Sequence, residues 1–124
     1  MSRLLKPNFE HKDERGLLRE VARSQNWRQL NQYERKKGSI VGNHYHKSFE
    51  EFFFIIKGSA MVKILIRDTS KTEEFTVKSG DAFIITPGEV HAMKFLEDTT
   101  FITLLSHDFD MGNPDIHPQK ILEG

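Results

Sequence analysis

Short apolar runs alternate with turn residues along almost the whole chain. Glycine, proline, asparagine or aspartate interrupts it at close intervals, as at residues 42–43, 58, 79–81 and 87–88. Between these turns lie runs rich in Phe, Ile, Val and Thr, most of them five to eight residues long. Such runs are typical of β-strands, and no segment keeps a helical period over three turns. The pattern therefore predicts an all-β sandwich or barrel.

Nine strands are predicted from this pattern. They cover residues 17–21, 29–35, 40–46, 51–57, 60–67, 73–77, 82–86, 92–95 and 101–106. Nine strands in 124 residues close best as a barrel or a tightly packed sandwich, so we expect one domain over residues 1–124. The polar segment 107–124 contains two prolines, and we expect it to be irregular and to end in one short helical turn.

Composition narrows the classes of partner. Lys and Arg total 18, as do Asp and Glu, so the formal net charge is zero and a nucleic-acid partner is not expected. The absence of Cys excludes a disulfide framework, a Cys-ligated metal site and a thiol nucleophile. The first residues lack a signal-peptide pattern, and the longest apolar run, 52–56, is too short to span a membrane. We therefore expect a cytoplasmic protein with no membrane partner.

Histidines and a glutamate form the strongest candidate site. His44 and His46 stand two residues apart on one predicted strand, so their side chains point to the same face. Glu51 opens the next strand and can return its carboxylate towards them, with the adjacent Glu50 as the alternative. Two imidazoles and a carboxylate on one face suit a first-row transition metal and leave positions for water or substrate. His91, after a Pro-Gly turn, would add a third imidazole from another strand.

The spacing of these residues resembles the first motif of the cupin superfamily. Gly38, His44, His46, Glu51 and Gly58 stand at every fixed position of that motif. The resemblance implies a single-domain jelly-roll barrel of the double-stranded β-helix type, with the first motif over residues 38–58.

A later stretch, residues 80–95, resembles the second cupin motif. Gly80, Gly88 and His91 match it. The usual proline stands one position late, at Pro87, and Phe95 replaces the terminal asparagine. Neither departure falls on a position that binds metal in the superfamily.

The cupin resemblance implies a metal cofactor. In metal-binding members, the positions that match His44, His46, Glu51 and His91 are the ligands. One divalent transition metal is therefore implied, which would be Fe, Mn, Ni, Zn or Cu. Histidine and glutamate sites accept several of these ions, so the residues do not select one.

A narrower resemblance concerns the small cupins of nucleotide-sugar metabolism. Residues 13–18, 42–47 and 104–110 are similar to the dTDP-4-keto-6-deoxyhexose 3,4-ketoisomerases and, more distantly, to the 3,5-epimerases. In those enzymes histidines at the positions of His44 and His46, usually with a tyrosine, move protons next to a ketone without a metal. Tyr33 is the candidate acid here. This implication competes with the metal site, because the same two histidines cannot readily serve both purposes.

We therefore expect a cupin that isomerises or epimerises a keto-sugar, a nucleotide-linked one, by enolisation. Two alternatives stay open: an Fe(II)-type cupin dioxygenase that uses the same ligands, and a non-enzymatic module that binds a sugar or a metal. The uninterrupted apolar run 52–54 suits a strand covered on both sides, so we also expect a homodimer.

Overall fold

The computed structural model describes residues 3–23, 27–107 and 110–123, which contain eleven β-strands. In chain order they are β1 (Phe9–Asp13), β2 (Gly16–Glu20), β3 (Gln29–Arg35), β4 (Ile40–Tyr45), β5 (Glu51–Lys57), β6 (Ser59–Ile66), β7 (Thr72–Lys78), β8 (Ala82–Ile85), β9 (Glu89–Phe95), β10 (Thr99–Leu105) and β11 (His117–Pro118). The described residues contain no helix that is long and apolar enough to cross a membrane. The all-β prediction is confirmed, since every element of the described ranges is a strand.

Two antiparallel sheets form a jelly-roll sandwich beside a separate N-terminal hairpin. One sheet has the strand order β3-β10-β5-β8 and the other β11-β4-β9-β6-β7, while β1 pairs with β2. In the first sheet β3 is an edge strand, and in the second β4 is covered at its edge only by the two-residue strand β11. The predicted jelly-roll fold is therefore confirmed.

Aromatic rings fill the space between the two large sheets. Phe53 stacks on Phe83 with ring centroids 4.7 Å apart, and Phe101 packs against Phe95 at 5.6 Å. Buried and less buried residues alternate along β6 and β10, as the strand period of two requires. Full burial of one such ring stabilises the fold by about 1.5–3 kcal/mol. Because Phe53 and Phe101 also line the cavity described below, this core gives the cavity a rigid wall.

All nine predicted strands are present, with bounds shifted by up to three residues. The sequence pattern does not predict β1, which is polar and largely exposed, or β11, which is only two residues long. The predicted helical turn at the end of the chain is wrong within the described residues. There the segment binds main-chain and side-chain groups of β4 instead of closing its own hydrogen bonds.

An ion-pair cluster holds the N-terminal segment against the second sheet. Arg3 Nη2 lies 2.6 Å from Glu73 Oε1 and 2.8 Å from Glu89 Oε2. Glu89 Oε1 also accepts hydrogen bonds from Arg3 Nη1 and from the amide of Thr86, each at 2.8 Å. The buried carboxylate of Glu89 is thus fully engaged in holding the fold, although it lies only two residues from His91.

Phe52 points to the opposite side of β5 from the core. It is only 2% exposed, and its ring lies 6.0 Å from that of Trp27. The chain itself therefore contributes to covering this second face, and the expected homodimer is not required to explain the burial of Phe52.

Candidate functional site

A bulge in β4 places His44 opposite His91. β4 pairs regularly with β9 as far as Gly42, and the register then shifts so that His44 pairs with His91. The extra residue, Asn43, takes a left-handed conformation with φ of 56°. Because the bulge inserts one residue into the alternation, Val41 and His44 line the same cavity although they are three residues apart.

Three imidazoles converge at this point. The ring centroids of His44 and His46 are 4.9 Å apart, those of His44 and His91 4.7 Å, and those of His46 and His91 5.2 Å. One nitrogen atom from each ring lies within 4.8 Å of the other two. The structure therefore brings together all three histidines that the sequence selects as candidates.

The tautomer of His46 is set by the C-terminal segment. Its Nδ1 lies 2.9 Å from the main-chain oxygen of Asp115, and because a carbonyl oxygen can only accept, Nδ1 carries the proton. The lone pair of a neutral ring is then on Nε2. This atom is buried and has no hydrogen-bond partner within the described part of the chain.

Glu51 faces that unpartnered nitrogen. Its Oε1 atom lies 3.3 Å from His46 Nε2, without the geometry of a hydrogen bond, and the residue is 7% exposed. For a neutral ring the contact joins two acceptor atoms, which repel each other unless a proton or a cation lies nearby. Glu50 does not line the cavity, so the structure places Glu51, not Glu50, beside the histidines.

Burial keeps two of the imidazoles neutral. Loss of solvent lowers the pKa of His44 to about 4, with a smaller effect from neighbouring His46. Loss of solvent also lowers the pKa of His91 to about 3, with further effects from His44 and His46. The His91 Nδ1 atom lies 3.2 Å from the main-chain oxygen of Glu89, to which it can donate. At neutral pH both rings therefore offer lone pairs, as a metal ligand or a general base must.

A cavity of about 470 Å³ surrounds the three histidines. This volume falls within the range of roughly 300–1,000 Å³ that is usual for small-molecule sites. Its wall combines apolar and polar side chains from both sheets: Gln29, Asn31, Tyr33, Arg35, Val41, Phe49, Glu51, Phe53, Met93, Phe101, Leu105 and Ile116. An apolar wall with a few polar groups excludes water and orients a ligand.

Tyr33 lies in this cavity wall, as a candidate acid must. Its ring stacks on that of Phe101, with centroids 4.7 Å apart and planes 7° from parallel. The guanidinium carbon of Arg35 lies 5.1 Å from the Tyr33 ring centroid. Tyr45, by contrast, stacks on His117 at 5.1 Å and does not line the cavity. Contacts with Phe101 and Arg35 thus restrain the Tyr33 ring in the cavity wall.

The C-terminal segment completes the site, a role that sequence analysis missed. Asp115 Oδ1 and Oδ2 accept hydrogen bonds from the amides of Lys47 and Ser48 at 2.9 and 2.8 Å, and Oδ1 lies 2.8 Å from His117 Nε2. Burial alone would raise the pKa of Asp115, but these hydrogen bonds outweigh it and hold the pKa at about 2. Ile116 lines the cavity itself. No local pattern marks this polar segment, so only the folded chain shows its contribution.

Asn43 ties the same segment to the bulge. Its Oδ1 atom accepts hydrogen bonds from the amides of Ile121 and Leu122 at 2.9 and 3.0 Å, and its Nδ2 donates to the Leu122 oxygen at 3.0 Å. The extra residue of β4 is therefore an attachment point for residues 121–122, which explains why an asparagine occupies it.

These donor atoms fit a divalent transition metal. Three imidazoles that converge in this way suit a first-row metal, and the unpartnered Nε2 of His46 beside the buried carboxylate of Glu51 is the polar arrangement that a cation would satisfy. The remaining histidines lie elsewhere. His11 is exposed beside Asp13, while His107 and His117 contact Phe49 and Tyr45 without lining the cavity.

The jelly-roll sandwich with its cluster of three histidines has a cupin-type fold. A family model described as the polysaccharide biosynthesis C-terminal domain matches residues 11–117. The chain therefore belongs to that family.

Curated relatives are considerably longer than this chain. A UDP-2-acetamido-2,6-beta-L-arabino-hexul-4-ose reductase from Pseudomonas aeruginosa is 29% identical over 118 residues, which are 92% of this chain and 32% of the relative. A vicilin-like seed storage protein from Arabidopsis thaliana is 27% identical over 93 residues, 69% of this chain and 13% of the relative. The chain thus spans a third or less of these relatives.

Solved structures share the fold. The capsular polysaccharide assembling protein CapF from Staphylococcus aureus superposes with a TM-score of 0.73 at 23% identity, over 95% of this chain and 34% of CapF. The epimerase RmlC from Mycobacterium tuberculosis superposes with a TM-score of 0.78 at 20% identity, over 93% of this chain and 66% of the RmlC chain. QdtA, a sugar 3,4-ketoisomerase from Thermoanaerobacterium thermosaccharolyticum, superposes with a TM-score of 0.74 at 17% identity, over 91% of this chain and 84% of the QdtA chain.

Proposed function

We propose that this chain is a sugar isomerase or epimerase domain that moves a proton next to the ketone of a nucleotide-linked keto-sugar. The convergence of His44, His46 and His91 in one cavity carries the proposal. Membership in a polysaccharide biosynthesis family supports a carbohydrate substrate. The name of the Pseudomonas relative states a UDP-linked hexulose as its substrate, and the structural neighbours include an epimerase and a ketoisomerase.

We propose further that His44, His46, His91 and Glu51 hold one divalent transition metal, which would be Fe, Mn, Ni, Zn or Cu. The lowered pKa values of His44 and His91 and the acceptor pair formed by His46 Nε2 and Glu51 support this assignment. A divalent cation bound there supplies Lewis-acid polarisation of a carbonyl oxygen.

The side chains of the cavity would then provide proton transfer and the surroundings of the enolate. A histidine that donates its lone pair to a metal cannot also accept a substrate proton, so proton transfer falls to another group. Tyr33 is the candidate acid that would return a proton to the enolate, because its ring lies in the cavity wall against Phe101 and Arg35. The proton next to the ketone would leave to a water molecule in the cavity. Phe49, Met93 and Ile116 add apolar wall to the same space, which strengthens the electrostatic interactions made inside it. Without a metal, His44 and His46 would be the base and its relay.

The first experiment is elemental analysis of untagged protein purified without added metal. It is followed by hydrogen–deuterium exchange of UDP- and dTDP-linked 4-keto-6-deoxyhexoses in D2O, observed by proton NMR. We expect close to one transition-metal ion per chain, together with exchange at a carbon next to the ketone that a chelator abolishes. Tyr33→Phe should retain the metal and lose at least about 100-fold in exchange rate.

Other outcomes would identify the competing functions. Exchange by a protein that holds no metal and gains no thermal stability from Mn, Fe, Ni or Zn would return His44 and His46 to proton transfer. Oxygen consumption with a diol or thiol substrate would indicate a dioxygenase. Binding of sugar nucleotides with no exchange of any keto-sugar would indicate a binding module and overturn the proposed enzyme.

We also propose a homodimer that uses the N-terminal hairpin. Phe9, Leu17 and Leu18 on β1 and β2 are 50%, 53% and 60% exposed. A second subunit that covers them would remove apolar surface from water. Light scattering of the purified chain should show a dimer, and the double variant Leu17→Ser/Leu18→Ser should shift it to monomer. A monomeric parent protein would overturn the proposed dimer.

A further inference from the structure

Strand β3 lines one wall of the cavity with four side chains in a row. Gln29, Asn31, Tyr33 and Arg35 alternate along the strand and all line the cavity, whereas the residues between them are exposed. The first two are joined by a hydrogen bond from Gln29 Nε2 to Asn31 Oδ1 of 3.0 Å. The row, called here the β3 ladder, ends in a cation.

Arg35 is a cavity cation without an ion pair among the residues that the structure describes. Its Nη1 donates to the main-chain oxygen of Glu34 at 2.9 Å, and its other contact is the ring of Tyr33. Four other arginines, Arg3, Arg15, Arg19 and Arg23, are each paired with a carboxylate. A guanidinium that is held by an aromatic ring and left unpaired in a cavity is prepared to bind an anionic ligand.

The carboxylate of Glu51 lies at the end of the β3 ladder that is opposite to Arg35. Across β10, Leu105 is the register partner of both Gln29 and Glu51, which places the two on one level. Arg35 is six residues beyond Gln29, or about 20 Å along an extended strand. The cavity is therefore polarised, with a carboxylate and imidazoles near one end and a positive charge at the other.

We propose that Arg35 binds the phosphate groups of a nucleoside diphosphate-linked substrate and so determines which way the sugar enters the cavity. This inference rests on the proposed function. In a hexose, C1 and C4 lie on opposite sides of the ring, so a 4-ketone at the histidines directs the C1 diphosphate away from them. Along the β3 ladder that direction leads to Arg35. The planar fork of a guanidinium matches two phosphate oxygens.

Calorimetric titration of the metal-loaded protein with UDP, dTDP and uridine tests this assignment. Arg35→Gln should weaken the binding of UDP or dTDP by about 10- to 100-fold, and binding should lose part of its salt dependence. Uridine, which has no phosphate, should bind parent and variant alike. Arg67→Gln is the matched control, because Arg67 lies 4.0 Å from the ring of Tyr45 in a similar cation–π contact but does not line the cavity. It should change the affinity less than twofold.

The results separate this inference from the proposed function. Equal affinity of parent and Arg35→Gln for both nucleotides, or no binding by the parent protein at millimolar nucleotide, would overturn the role of Arg35 even if keto-sugars exchange deuterium. Nucleotide binding that depends on Arg35 without any exchange would keep the phosphate site and overturn the enzyme. If Arg35→Gln does not fold, Arg35→Lys is tested in its place. Its affinity for UDP or dTDP should fall, but by less than the loss predicted for Arg35→Gln. Failure of inorganic pyrophosphate to compete with UDP in the parent protein would also contradict the assignment.

Discussion

The Nδ1 atom of His46 lies 2.9 Å from the main-chain oxygen of Asp115, 69 residues further along the chain. This contact leaves Nε2 as the free lone pair that faces Glu51. A side chain just after β4 is therefore oriented by the C-terminal segment, which the carboxylate of Asp115 attaches to the amides of Lys47 and Ser48. Groups that orient a ligand in this way contribute to metal affinity without touching the metal.

Removal of the Asp115 carboxylate should weaken metal binding. Asp115→Gly suits the φ of 51° at this position but breaks the bonds to Lys47, Ser48 and His117. We expect the metal affinity, measured by competition with a chelator, to fall by about 10- to 100-fold. Asp110→Gly is the control, because Asp110 is exposed and, among the described residues, its carboxylate accepts a hydrogen bond from the Gly112 amide and not from the residues beside the histidines. Equal losses in the two variants would mean that the segment affects stability alone.

Glu51→Gln and Glu50→Gln form a matched pair of neighbouring substitutions. Glu51→Gln should lower metal affinity at least about tenfold, because the amide keeps the shape of the buried side chain and loses its charge. Glu50→Gln should retain the metal of the parent protein, since Glu50 does not line the cavity. Elemental analysis after dialysis measures both. The reverse order would show that β5 presents Glu50 to the histidines and that its register is shifted by one residue.

Gly42→Ala should destabilise the protein through the bulge that carries His44. A Cβ atom at Gly42 would lie 2.6 Å from the main-chain oxygen of His91, and φ is +91°. We expect the free energy of unfolding to fall by about 3 kcal/mol or more. At Gly38, where φ is +87°, an added Cβ atom would meet nothing within 4 Å. Gly38→Ala should therefore lower the free energy of unfolding by only about 1 kcal/mol, the cost of a positive φ at alanine. Urea unfolding compares the two, and similar losses would contradict close packing of β4 on β9.

The neutral histidines predict a loss of stability in mild acid. The pKa values of His44 and His91 are lowered to about 4 and about 3 in the folded protein, from 6.5. Below pH 6.5 the unfolded chain therefore binds protons that the folded chain does not. This binding lowers the free energy of the unfolded state relative to that of the folded state. The free energy of unfolding of chelator-treated protein should decrease steadily from pH 7 to pH 4.5.

Glutamine substitutions identify the groups responsible for that pH dependence. His91→Gln should flatten the decrease more than His11→Gln does, because His91 is buried in the cavity and His11 is exposed outside it. A stability that does not vary between pH 7 and pH 5 in the chelator-treated parent would show that the buried rings protonate freely, against the geometry described above.

The candidate ligands could be predicted because their positions depend on local periodicity. Two residues on one strand share a face, so His44 and His46 were expected to lie together, and the turn before Glu51 returns the chain to them. The Asn43 bulge could not be predicted in the same way. A strict period of two would separate Val41 from His44, and only the pairing of β4 with β9 shows that one residue is extra.

The position of the β3 ladder in the cavity wall could be predicted only in part. Its alternation is visible in the residues Gln29, Asn31, Tyr33 and Arg35, but alternation does not state which face of an edge strand meets a cavity. That depends on the neighbour, here β10, and on the sheet packed against it.

Strand period and turn residues, which are short-range properties, thus predicted the strands and the candidate metal ligands, and the resemblance to the cupin motifs predicted the jelly roll. Folding in three dimensions decided which of those groups meet. The attachment of Asp115 to His46, the choice of Glu51 over Glu50 and the polarised cavity between Glu51 and Arg35 all join residues from different strands. Such contacts depend on sheet order and register, which no short stretch of the chain contains.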